Sequence, residues 1–92
     1  MNLRQLKIVE AVSRNFNLTA AAEVLHMSQP AASLQLRHLE EEFGFKFFER
    51  NNHGMELTEQ GREFLDAIRP VLQSIERIEA KFKRRYHGRF AQ

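Results

Sequence analysis

Apolar residues recur every third position near the start of the chain, at Leu3, Leu6, Val9 and Val12. That spacing lays a stripe along one side of a helix and predicts a first helix over roughly Asn2 to Arg14. The segment "NFN", Asn15 to Asn17, breaks the pattern. Asn17 is a good N-cap, since its side-chain oxygen can accept from the free amides of a first turn. A short second helix is predicted from Leu18 to Leu25. Its "TAAAEVL" combines high helix propensity with small side chains that let another helix approach. His26 and Met27 form a tight connection, and Ser28 is the next N-cap candidate. A third helix is predicted from Gln29 to about Phe43. One face carries Ala32, Leu36, Leu39 and Phe43, and the other carries Gln29, Ser33 and Arg37. Gly44 ends it.

The period then changes. "FKFFER", Phe45 to Arg50, is aromatic and partly alternating, which suits a strand. "NNHG", Asn51 to Gly54, is turn chemistry, and "MEL", Met55 to Leu57, is a short return strand. Together they predict a small hairpin. Thr58 then caps a long helix of about 28 residues and about 40 Å. Leu65, Ile68, Leu72, Ile75 and Phe82 follow a three–four pattern broken at Glu79, and Phe64, Val71 and Ile78 form a second row seven apart. A stripe this wide is too long for one small domain to cover, so coiled-coil-like self-association through these eight residues is expected. Pro70 is expected to kink or split the helix. "HGRFAQ", His87 to Gln92, reads as a tail.

The fold class expected is mainly α. It is a winged helix-turn-helix over residues 1–57, with a three-helix core and a hairpin wing, followed by a linker or dimerisation helix at 58–86 and a hinge or tail stub at 87–92.

Charge changes this picture little. The net charge is +2. The part up to Leu57 has six lysines and arginines against seven acids, and the remainder has eight against five, with the excess largely in "KFKRR", Lys81 to Arg85. That run reads first as a solvated helix end. No broad basic field covers the first half, so any case for nucleic acid there rests on placement. The absence of cysteine excludes disulfides, thiolate metal sites and a thiol nucleophile. No apolar run in "MNLRQLKIVEAV" suits a signal peptide or a membrane span, and the expected location is cytoplasmic. His26, His38, His53 and His87 are scattered without metal-ligand spacing, and no glycine-rich phosphate loop is present. No enzyme, metal or cofactor is expected.

In a helix-turn-helix, the second helix of the pair enters the major groove and its first residues reach the base edges. Ser28 caps that helix, and its amides can also receive a phosphate. Pro30 costs little in a first turn and fixes φ, and its ring can meet a thymine methyl. Gln29 carries donor and acceptor together, which suits an adenine edge. Ser33 allows close approach, and Arg37 can reach guanine or phosphate. By spacing alone, an ordinary solvated face explains Gln29, Ser33 and Arg37 equally well. Arg50 at the hairpin edge fits a phosphate contact or plain surface, and His53 fits a turn residue. The acids Glu40 to Glu42 read as a solvated helix end pointing away from DNA. Phe43, Phe45, Phe47 and Phe48 read as core.

"LRQLKIVEAV", "LTAAAEVLHMSQPAASLQLRHLEEEFGFKFFER" and "LTEQGREFL" together resemble the N-terminal DNA-binding domain of LysR-type bacterial transcriptional regulators, from about Asn2 to Arg85. The resemblance implies sequence-specific binding of double-stranded DNA at an interrupted inverted repeat in a promoter region. It implies a homodimer through antiparallel long helices, with a higher oligomer in the full-length protein. Position by position, it implies base reading by Gln29, Pro30 and Ser33, phosphate contacts from Thr19 and Ser28, and a wing contact from Arg50. Leu34 departs from the family, where arginine is common, and implies apolar contact with thymine methyls instead. The tip "NNHG" is less basic than the family's, which leaves a weaker minor-groove grip or one that depends on protonation of His53. Family members continue into a domain that binds an inducer, so a truncated piece or natural fragment is expected. The competing class is a protein-interaction module that uses the long helix without DNA.

Overall fold

A computed structural model describes residues 1–90 of the chain, with side chains through Tyr86. Three helices come first: α1 (Leu3–Asn15), α2 (Leu18–Val24) and α3 (Gln29–Phe43). An antiparallel hairpin of β1 (Phe48–Asn51) and β2 (Gly54–Leu57) follows, and then α4 (Glu59–Phe90). This is the expected winged-helix order.

Each helix start has a local cause. The Asn2 side chain accepts from the Gln5 amide at 2.8 Å, and Gln5 Oε1 accepts from the Asn2 amide at 3.0 Å, which is a capping box. Asn17 accepts from the Ala20 amide at 2.7 Å and Ser28 from the Ala31 amide at 3.2 Å. Each such cap is worth about 1 kcal/mol. Thr58 caps α4 by accepting from the Gly61 amide at 2.9 Å, while its hydroxyl donates to the Lys46 carbonyl at 2.6 Å. Gly61 is required there, since a Cβ would lie 2.2 Å from the Phe47 carbonyl oxygen.

The core gathers Leu6, Ile8, Val9, Ala11 and Val12 of α1, Leu18, Ala21 and Ala22 of α2, Ala32, Leu36 and Leu39 of α3, Phe47 and Phe48, and Leu65, Ile68 and Leu72 of α4. Burying one such large side chain is worth roughly 1.5–3 kcal/mol. Four expectations change here. Phe43 is not core: its ring is exposed, though it lies 5.4 Å from that of Phe64. The first strand begins at Phe48 rather than Phe45, because Phe45 and Phe47 turn into an aromatic cluster with Phe64. Of the kink or split expected at Pro70, the split does not occur, since the long helix continues through it. Proline removes only one amide, the partner of the Asp66 carbonyl, and on this exposed stretch water can take its place. The stub expected at 87–92 is helical as far as Phe90, and residues 91 and 92 lie outside the described residues.

The largest correction concerns the expected self-association stripe. Leu65, Ile68 and Leu72 are buried in the domain's own core and are not available to a second copy. Val71, Ile78 and Phe82 are exposed, and Phe64 and Ile75 are half-buried. The first row therefore divides: Leu65, Ile68 and Leu72 pack inward, while Ile75 and Phe82 fall on the outer side with Phe64, Val71 and Ile78.

Candidate nucleic-acid interface

α3 packs on the core through Ala32, Leu36 and Leu39, which turns the opposite side outward. With about 100° per residue, Pro30, Leu34 and Arg37 share that outer side and Ser33 stands at its edge, while Gln29 falls in line with Leu36 and is exposed as the first residue of the helix. Gln29, Pro30, Leu34 and Arg37 are exposed, and Ser33 is half-buried between them. The face is slim at its head and longer toward Arg37. Proline at N2 and the Ser28 cap leave the Gln29 amide as the one unclaimed donor ahead of the capped Ala31 amide.

A buried polar contact helps set the pitch of this helix. Gln5 is the buried polar residue of the core, and its Nε2 donates to Gln35 Oε1 at 3.1 Å. The same Gln5 side chain closes the capping box of α1. One residue thus ties the start of α1 to the middle of α3. A polar position inside the first helix's pattern was the only sequence signal for it.

The acids Glu40 to Glu42 do not form one solvated end. Glu40 turns inward, accepts from the Phe47 amide at 2.9 Å and lies 3.7 Å from Lys46 Nζ. Glu42 pairs with the chain's amino terminus at 2.6 Å. Glu41 stands on the outer side, 3.7 Å from Arg37 Nε. It therefore does not point away from the candidate reading face, and the exposed pair restrains Arg37 only weakly.

Thr19 is exposed in the first turn of α2. Arg50 is exposed on β1, opposite Met55. His53 is exposed in the hairpin turn, where its amide donates to Asn51 Oδ1 at 2.8 Å, a turn role. These three stand on elements other than α3: Thr19 on α2, and Arg50 and His53 on the hairpin. Among the described residues, no group of His, Asp and Glu side chains is placed to hold a metal ion, and no helix is long and apolar enough to cross a membrane.

Residues 3–62 match the bacterial regulatory helix-turn-helix proteins of the lysR family. The chain belongs to the LysR family. Among LysR relatives it is similar to the RuBisCO operon transcriptional regulator of Allochromatium vinosum, 48% identical over 79 residues that make up 86% of this chain and 26% of that protein. It is also similar to the HTH-type transcriptional regulator CbbR of Sinorhizobium medicae (strain WSM419), 43% identical over 79 residues, 86% of this chain and 25% of that protein. The chain thus spans about a quarter of the length of these curated relatives. Two similar solved structures hold DNA. The CbnR DNA-binding domain in its DNA complex matches with a TM-score of 0.77 and 38% identity over 90% of this chain and 95% of that one. The BenM DNA-binding domain with benA site 1 DNA matches with a TM-score of 0.80 and 32% identity over 91% and 94%. The architecture is that of LysR winged-helix domains.

Proposed function

We propose that this chain is the DNA-reading part of a transcriptional regulator that acts in the cytoplasm and carries out no catalysis of its own. The observation that carries the reading is the outward side of α3, a slim head of Gln29, Pro30 and Ser33 with Leu34 and Arg37 behind it, in a fold shared with LysR domains solved on DNA. α3 enters the major groove, where Gln29 reads a base edge and Pro30 and Leu34 meet thymine methyls. Thr19 and Ser28 contact phosphates, and the wing brings Arg50 and His53 to the neighbouring backbone and minor groove.

The protein reads DNA as a homodimer, and in its full-length form it can assemble further. The corrected seam runs along the outer row of α4: Phe64, Val71, Ile75, Ile78 and Phe82. An antiparallel pair sets the acidic start of α4, Glu59, Glu63 and Asp66, near the partner's basic end, Lys81 to Arg85, so charge favours that orientation. Two-fold symmetry then implies an inverted repeat with a gap. Selection from a random duplex pool tests the whole reading: the expected outcome is recovery of two inverted half-sites at a fixed spacing. No duplex retained at micromolar protein and low salt would instead favour an interaction module built on α4.

A further inference from the structure

Two strands of four residues make a hairpin that is marginal on its own. It needs ties to the rest of the domain to hold an arginine at a fixed place. One tie lies at its base, where the Thr58 amide donates to the Phe47 carbonyl at 3.0 Å. The other lies near its tip and joins it to the α1–α2 junction. α1 ends on Phe16 in the left-handed conformation, φ 59°. This aims the Phe16 carbonyl outward, where it accepts from the Met55 amide at 2.8 Å.

Gly54 makes that approach possible. Its φ is +118°, and a Cβ there would sit 2.3 Å from the Phe16 carbonyl oxygen. Any side chain forces the hairpin off the junction. β1 pairs Arg50 with Met55, so the tied residue is the one directly across from the wing arginine. On the other side of the tie, Phe16 is followed at once by Asn17, the cap of the helix that carries Thr19.

We infer that the Phe16–Met55 bond, permitted by Gly54, is a positioning latch that fixes Arg50 relative to the first turn of α2, so that both engage the DNA backbone in one geometry. Gly54 and the backbone of Phe16 are positioning residues that touch no DNA. The inference rests on the DNA-reading function proposed above.

The test reads the salt dependence of duplex binding by fluorescence anisotropy, together with amide exchange at Met55. Each phosphate contact contributes about 0.9 to the slope of log K against log salt. Arg50→Ala is expected to flatten the slope by about that amount. Gly54→Ala is expected to flatten it equally although the arginine is still present, and the double variant to flatten it no further. A second variant, with the Met55 amide replaced by an ester, removes the donor without adding bulk and is expected to behave like Gly54→Ala even if the alanine variant folds poorly. Met55 exchange should be slow in the wild type and at least about tenfold faster in Gly54→Ala, the scale of one lost net hydrogen bond, while the ester variant has no Met55 amide and is read by its salt slope alone. A wild-type slope kept by the ester variant would overturn the latch, as would fast Met55 exchange in the wild type. Additive flattening in the double variant would overturn it too. Failure of the wild type to bind any duplex would overturn the DNA reading and the latch's role in it, while Met55 exchange would still report the tie itself.

Discussion

Gln29 and Glu41 mark the two ends of the proposed reading face and are expected to act in opposite senses. Gln29 stands at the exposed head, where a bidentate contact to one base pair is possible. Replacing it with alanine is expected to cost about 1–3 kcal/mol at a single base-pair position and little elsewhere, measured by affinity across a set of singly substituted sites. Unchanged affinity and unchanged site preference would remove α3 from the reading role. Glu41 brings a carboxylate onto the same side and holds Arg37 loosely. Glu41→Gln is therefore expected to tighten duplex binding by up to about tenfold, most at low salt, where surface charges are least screened. Spacing alone separated the outer residues of α3 from its inner ones, because helical geometry fixes direction. It did not show that Glu40 turns inward, because three consecutive acids look alike until the Phe47 amide supplies one of them with a partner. Nor did it reveal Gln5, whose value comes from Gln35, thirty residues away.

α4 shows where reading an element from its own pattern stops. Its apolar positions are all of the same chemical type, whether the domain's own core covers them or a second copy does. Only the fold decides, and it takes Leu65, Ile68 and Leu72 inward. The two rows therefore respond differently to charge. Ile78→Glu, on the exposed row, is expected to leave a folded monomer in analytical ultracentrifugation, with thermal stability of the domain nearly unchanged. Leu72→Glu is expected to destabilise the domain by more than about 4 kcal/mol, because it places an unpaired charge in the core. A dimer that survives Ile78→Glu would place the seam elsewhere. The helix itself was legible from its caps and its length. Its passage through Pro70 was not, because a proline that breaks an isolated helix costs less where a packed first half already holds the turn in place.

At the scale of the molecule, the long axis of 48 Å belongs largely to α4, against 25 and 23 Å in the other directions. The first half of that helix is part of the domain and the second half projects from it. A reading head and half of a seam are therefore one rigid piece, with no hinge between them among the described residues. In an antiparallel pair, the distance between two heads is then a length of helix, and the gap between half-sites becomes a quantity stored in protein sequence. Seven residues inserted at the centre of α4 preserve the faces of the seam and lengthen it by about 10 Å, roughly three base pairs. Selection from inverted repeats of varied gap should recover a preferred spacing shifted by that amount. If the proposed dimer holds, α4 would act as a ruler: its residue count would decide which pairs of half-sites along a chromosome are the right distance apart to be seen as one.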